Sequence, residues 1–281
     1  MNFTRFLSRI PLHLVLMIIV AIWLVPTFAL FVSSFRPAPA ISSTGWWEAF
    51  LEPSQFSLDL YIQALTRQGM GQGFMNSLYI SIPSTVMPIM IAAFAAYAFS
   101  WMGFPGRSLI FVAIIGLLVV PLQMTFVPVL RMYNQLRLTG TFPGIWLAHA
   151  AYGLPFSIYL LRNFIGGLPR DLFESAFLDG ATHFDVFFRI VLPLSVPALA
   201  SLVIFQFMWV WNDLLVSLIY LGGIPAVAPM TIVIGNQVSS LGANWQVLTA
   251  AAFISMALPL IVFFTLQKYF VRGILAGSVK G

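Results

Sequence analysis

Residues 169–197 read PRDLFESAFLDGATHFDVFFRIVLPLSVP, and this stretch decides how the chain is understood. It carries four of the eight acidic residues, Asp171, Glu174, Asp179 and Asp185, between long apolar segments. Carboxylates are costly in hydrocarbon, so this stretch leaves the bilayer that the segments around it are suited to occupy. Asp171 followed three positions later by Glu174 has the spacing of a capping box and predicts a short helix starting there. Leu172, Phe173, Ala176 and Phe177 give that helix an apolar face, and Gly180 is placed to end it in a left-handed conformation. Thr182 and Asp185 repeat the spacing and predict a second short helix through Phe187, Phe188 and Ile190, broken by Pro193 and Pro197. Two capped helices around a glycine elbow form a docking element. An amphipathic loop lying on the membrane surface without a partner has the same pattern, and residue chemistry alone leaves both open.

The rest of the chain sets the context. Of 281 residues, 60% are hydrophobic and 7% charged, against about a quarter charged in soluble domains. This is the composition of an all-α polytopic membrane protein, a single domain over residues 1–281. Six apolar runs stand out, at about 12–34, 76–102, 108–128, 142–163, 198–221 and 247–266, with the polar loop 164–197 between the fourth and fifth. The first is too long for the apolar core of a signal peptide, despite the Ala38-Pro39-Ala40 triplet, and reads as a retained span. Pro26, Pro83, Pro88 and Pro155 within runs are tolerable in a membrane, where neighbours satisfy the freed carbonyls. Residues 36–74 read as an exposed loop, with Trp46 and Trp47 at the interface and Ser57 capping a helix over 58–65. Arg131 and Arg137 are assigned to the loop after the third span, and Gly222–Trp245 to a second polar loop.

Six spans put both termini on one side. Arg5, Arg9, Arg107, Arg162, Arg170, Arg189, Lys268, Arg272 and Lys280 then share that side, and Arg36, Arg67, Arg131 and Arg137 face the other. An excess of nine over four places the termini and the 164–197 loop in the cytoplasm. The net charge of +5 is spread along the chain, without the basic and aromatic interleaving of a nucleic-acid binder.

Catalytic motifs are absent from the sequence. No cysteine is present, and His13, His149 and His183 are scattered, so neither a metal site nor a thiol nucleophile is expected. Gly103, Gly106, Arg107 and Ser108 lack the spacing and lysine of a phosphate loop. His149 has no carboxylate or histidine at i+3 or i+4 and reads as a helix-packing residue. Asp213, within Trp211-Asn212-Asp213, is the one ionisable side chain well inside a run. These three residues either line a solute pathway or gate, or join helices, with Asp213 bonding a backbone amide or indole. A chain with so few intramembrane charges and no nucleotide site is poorly suited to ion-coupled transport.

Glu174-Ser175-Ala176, Asp179-Gly180-Ala181 and Ile190-Val191-Leu192-Pro193 together resemble the EAA loop of permease subunits of ATP-binding-cassette importers, in which the motif reads E-A-A-x-x-x-G followed downstream by I-x-L-P. Ser175 departs from the usual alanine. Trp211-Asn212-Asp213, Asn76-Ser77-Leu78 and the tail from Gln267 to Gly281 resemble the maltose-type carbohydrate importers, and the six spans with a short first outer loop are similar to the smaller of their two permeases. The resemblance implies a type I importer permease fold in a prokaryotic inner membrane. It implies a second permease subunit, a cytoplasmic ATPase dimer that binds the ATP, and an extracytoplasmic sugar-binding protein as partners. This chain then needs no cofactor and catalyses no reaction. Glu174, Ser175, Ala176, Asp179, Gly180 and Ala181 are implied to couple it to the ATPase. A non-sugar solute (a polyol, glycerophosphodiester or amino acid) or a non-transporting scaffold are the alternatives.

Overall fold

The computed structural model describes residues 10–237 and 245–278, with side chains from 11 to 237 and from 246 to 269. Arg5, Arg9, Lys280, Gly281 and part of the second polar loop therefore lie outside the described residues. No strand occurs among those described.

In chain order the helices are α1 (Ile10–Ser33), α2 (Ala38–Ser43), α3 (Asp59–Arg67), α4 (Met70–Trp101), α5 (Arg107–Gly116), α6 (Leu122–Gln135), α7 (Phe142–Ile165), α8 (Arg170–Leu178), α9 (His183–Val186), α10 (Leu192–Leu194), α11 (Val196–Trp211), α12 (Leu215–Leu221), α13 (Met230–Gln237) and α14 (Trp245–Ser278). Short 3-10 turns occupy Trp46–Phe50, Pro53–Gln55 and Leu117–Val119, and a π-helical turn occupies Phe187–Val191. Contacts divide the chain into one unit of residues 1–71 and 233–256 and a second of 72–232 and 257–281.

Four helices are long and apolar enough to cross a membrane: α1, α4, α7 and the Gln246–Tyr269 part of α14. The other two expected spans are not single straight helices. Arg107–Val119 and Leu122–Gln135 meet at 101°. Pro121 is the cause, because a proline holds the preceding residue extended, and Val120 has φ −72° and ψ 118°. Arg131 consequently lies within α6 rather than in a loop, and Arg137 follows the helix end. His183–Leu194 and Val196–Trp211 meet at 71°, at the segment that contains Pro193 and Pro197. The fifth run, read as continuous over 198–221, is interrupted between Trp211 and Leu215. The 16 residues of α11 rise about 24 Å, short of a hydrocarbon core of about 30 Å, so α12 is needed to complete a crossing.

Smaller differences have local causes. Helix α4 starts at Met70, before the apolar run, and α3 starts at Asp59, whose N–H donates to Ser57 Oγ (3.3 Å). The second polar loop contains helix α13, and α14 continues past residue 266 to Ser278.

In the first unit, Arg36 is 1% exposed. Its guanidinium donates to Gln55 Oε1 (3.0 Å), Gly45 O (3.0 Å), Ala40 O (3.3 Å) and Thr44 Oγ1. Phe31, Phe35 and Tyr61 pack as successive aromatic neighbours. A buried cation saturated by neutral acceptors ties the segment after α1 into one folded loop.

In the second unit, one apolar cluster joins α4, α7, α8, the π turn and α11 through Ala92, Ala96, Ile158, Leu161, Phe173, Phe187 and Leu202. The alanine-rich half of α4 sits at its centre, where small side chains let helices approach closely. Another cluster, around Ile145, Ala148, Tyr133 and Tyr220, joins α6, α7 and α12. Asn76 Nδ2 donates to Ala226 O (3.1 Å) and Ala228 O (2.9 Å), while Ser77 Oγ accepts from Met230 N (2.9 Å). These polar residues at the start of α4 pin the chain between α12 and α13.

Candidate functional site: the two-helix elbow and the broken fifth span

Helix α8 does not begin with the predicted capping box. Its N-cap is Pro169, and no side chain caps it. Asp171 lies in the first turn, where a carboxylate favours the helix dipole, and its carbonyl accepts from Ser175 Oγ (2.7 Å). Phe173 is 1% exposed and stacks on Trp101 with ring centroids 3.5 Å apart at 13°. The Trp101 indole N–H donates to Ile165 O (3.1 Å), so the docking helix is fastened to the ends of α4 and α7.

The C-terminus follows the sequence reading closely. Gly180 has φ +83°. Its N–H bonds Phe177 O (3.1 Å), and the Ala181 N–H bonds Ala176 O (2.9 Å). These are the two bonds of a Schellman stop. The elbow sorts the expected coupling residues into two sets. Ala176 and Ala181 face inward and are half-buried, while Glu174, Ser175, Asp179 and Gly180 form an exposed edge beside Leu178, which is 88% exposed.

Thr182 and Asp185 form the second predicted capping box. Thr182 Oγ1 accepts from Asp185 N (3.2 Å), and Asp185 Oδ2 accepts from Thr182 N (3.2 Å). Arg189 approaches Asp185 at 3.5 Å, but both are exposed, so that ion pair adds little. Beyond it the ladder slips to a π turn, with the Leu192 N–H reaching Phe187 O, immediately before Pro193. Phe187 stacks on Phe94 (4.5 Å), and the Tyr97 hydroxyl meets His183 Nδ1 at 2.8 Å. This last link is not legible from local spacing, because the partners are far apart in the chain.

The Phe173 anchor leads to a testable expectation. Phe173→Ala should cost about 3–5 kcal/mol of local packing. Backbone amides of residues 170–178 should lose hydrogen-exchange protection while those of α7 keep theirs. Unchanged protection in α8 would show that the stack does not hold the elbow.

The Trp211-Asn212-Asp213 group splits in the structure. Trp211 is 2% exposed, stacked on Phe207 (5.4 Å) and edge-on to Phe74 (5.7 Å). Asn212 is exposed, and its amide donates back to Met208 O (2.8 Å). Asp213 caps α12: Oδ1 accepts from Val216 N (3.2 Å), and Oδ2 from Ser217 N (2.9 Å) and Ser217 Oγ (3.0 Å). Its carbonyl accepts from Thr231 Oγ1 (2.6 Å). Fully buried His149 lies beside it, with Nε2 at 3.7 Å from Oδ2, beyond hydrogen-bond range. Neither ring nitrogen of His149 has a hydrogen-bond partner. Local spacing could not reveal this neighbour, which comes from another helix. Among the described residues no cluster of three His, Asp or Glu side chains is placed to hold a metal ion.

The chain as a whole is similar to known proteins over most of its length. Over 280 residues the chain is 59% identical to the osmoprotective compounds uptake permease protein GgtD of Synechocystis sp., covering 99% of this chain and 94% of the relative. It is 55% identical over 234 residues to the alpha-glucoside transport system permease protein AglG of Rhizobium meliloti, covering 82% of this chain and 62% of that one. Its fold superposes with a TM-score of 0.78, at 20% identity, on a chain of a bacterial ABC transporter involved in alginate import, covering 96% of this chain and 99% of that one. The likeness establishes the type I ABC importer permease fold expected from the sequence. Residues 1–276 match the binding-protein-dependent transport system inner membrane component family, and the chain belongs to that family of multi-pass ABC importer permeases.

Proposed function

We propose that this chain is the permease subunit of an ATP-driven importer that carries a sugar or related glycoside inward across the cytoplasmic membrane. The observation that carries the reading is the exposed edge Glu174-Ser175-Leu178-Asp179-Gly180, held away from the apolar core by the Phe173 anchor and the Gly180 stop. Such an edge suits insertion into a cytoplasmic ATPase, with Glu174 offering charge and Gly180 a turn free of side chain. ATP is bound and hydrolysed by that partner dimer, and this chain uses no cofactor of its own. A second permease subunit completes the pathway, and an extracytoplasmic binding protein delivers the solute. The chain acts as one transmembrane permease domain of six spans with both termini cytoplasmic, as its basic residues favour. Closure of the ATPase dimer moves the elbows together, and the spans turn between inward-open and outward-open states.

A sugar substrate is supported by the likeness to an alpha-glucoside permease. The likeness to an osmoprotective compounds uptake permease favours a second reading, an osmoprotective solute as the cargo. Reconstitution with the ATPase, partner permease and binding protein, followed by uptake of labelled sucrose, maltose, trehalose and glycine betaine, separates the two. ATP-dependent sugar uptake is expected, and uptake of betaine alone overturns the sugar reading. A reporter after Gly281 should read cytoplasmic and one inserted at Ser54 external. Opposite readings at both sites would sink the topology.

A further inference from the structure

Pro83 and Pro88 both stand inside α4, yet the helix runs from Met70 to Trp101. A proline has no N–H, so the carbonyl four residues before it loses its partner within the helix. Pro83 thus frees the carbonyl of Tyr79, and Pro88 that of Ser84. Side chains from other helices take both. Trp146 of α7 donates its indole N–H to Tyr79 O (2.7 Å), and Gln206 of α11 donates Nε2 to Ser84 O (3.2 Å). A backbone acceptor without a partner is costly where water is excluded, and Ser84 is fully buried.

Gln206 is itself fixed in place. It is 4% exposed, and Nε2 also donates to His149 O (3.4 Å), which ties the amide to α7. A Cβ at Gly153 would overlap the carboxamide, so glycine at that position of α7 is what gives it room. Three hydroxyls beside the two prolines, Ser81 Oγ, Ser84 Oγ and Thr85 Oγ1, are buried without a hydrogen-bond partner. The polar ties of this stretch to its neighbours therefore run through the freed carbonyls and not through those hydroxyls.

The other end of α4 carries the elbow. Trp101 stacks on Phe173, the Tyr97 hydroxyl meets His183, and Phe94 stacks on Phe187. A displacement of the elbow reaches the core along α4, across the ladder that Pro88 and Pro83 have opened. Helices give way at prolines unless the freed carbonyls are held. We propose that Gln206 and Trp146 are positioning residues for transport. Each replaces the backbone bond that a proline removes, and so keeps α4 stiff enough to pass elbow movement to the core. The proposal holds for any solute and rests on the elbow coupling given above.

The test is a rescue in the complete reconstituted importer. Gln206→Leu strands Ser84 O, and Pro88→Ala in the same chain returns an N–H to it. The readout is solute carried per ATP hydrolysed, with whichever of labelled sucrose, maltose, trehalose and glycine betaine the wild-type complex takes up. Loss of protein alone would not change that ratio. It should fall about tenfold in Gln206→Leu and return to within about threefold of the wild type in Gln206→Leu/Pro88→Ala. Hydrogen-exchange protection of the α4 amides around Ser84 should be lost and regained in step. Trp146→Phe, alone and with Pro83→Ala, should repeat the pattern at Tyr79. Gly153→Ala, which displaces the carboxamide, should mimic Gln206→Leu. A wild-type ratio and protection in Gln206→Leu, or a double variant no better than the single one, overturns the proposal. If Gln206→Leu does not assemble, a double variant that assembles supports the proposal, and one that fails while Pro88→Ala alone assembles overturns it. Normal uptake in Gly180→Val and Glu174→Lys would remove the elbow reading instead, leaving the rescue of exchange protection to decide whether the two side chains hold α4.

Discussion

Gly180→Val and Glu174→Lys should each leave the protein inserted in the membrane and abolish most of its transport. At φ +83° a β-branched side chain costs about 1–2 kcal/mol, enough to change an equilibrium by a factor of about 5–30. The space around Gly180 is open within this chain, since a Cβ there meets no atom within 4 Å. The penalty in the isolated protein is therefore that of the backbone alone. Gly180→Asn separates the two possible costs, because asparagine tolerates the left-handed region. If only the turn matters, Asn should transport far better than Val. If a partner surface fills the open space, both should fail. Glu174→Lys places a cation on the exposed edge, and a like-charge contact across an interface costs several kcal/mol. ATPase pulled down with the tagged permease, together with uptake in proteoliposomes, reads both effects. Normal uptake in Gly180→Val and Glu174→Lys would mean that the elbow is only a surface loop.

Replacing Asp213 should damage the fold before it damages the pathway. Its carboxylate accepts from two backbone N–H groups and one hydroxyl at the start of α12. Loss of an N-terminal cap costs about 1–2 kcal/mol, and the stranded donors sit where the fifth span is already broken. Asp213→Ala should lower the thermal stability of the detergent-solubilised protein and the yield of assembled complex. Asp213→Asn keeps one acceptor oxygen and should fall between it and the wild type. Asp213→Asn that assembles and melts like the wild type yet loses uptake would assign the carboxylate to the solute pathway instead.

The elbow was legible in the sequence because its determinants are local. Gly180 and the Thr182–Asp185 box each act within a few residues of themselves. The same locality misled at Asp171–Glu174, where the spacing of a capping box is present but Pro169 occupies the cap. Hydropathy located the apolar runs and overlooked where their helices break. Pro121 bends the third by fixing Val120, and Asp213 starts a new helix within the fifth. What stayed hidden are contacts between distant positions: Tyr97 with His183, His149 beside Asp213, Gln206 across to Ser84, and Arg36 among its neutral oxygen acceptors. Each depends on helix packing that no window of sequence contains.

The chain has no native cysteine, so a single introduced thiol reports one position cleanly. Leu178 stands on the elbow edge and is 88% exposed, and Leu51 lies in the first loop and is 79% exposed. In the assembled complex treated with a short bis-maleimide, and with one accessible cysteine on the ATPase surface cleft, Leu178→Cys should form an adduct with the ATPase subunit. Leu51→Cys should form none. Absence of an ATPase adduct from Leu178→Cys in a complex that still transports, or equal yields from both positions, would contradict coupling through the 170–180 elbow.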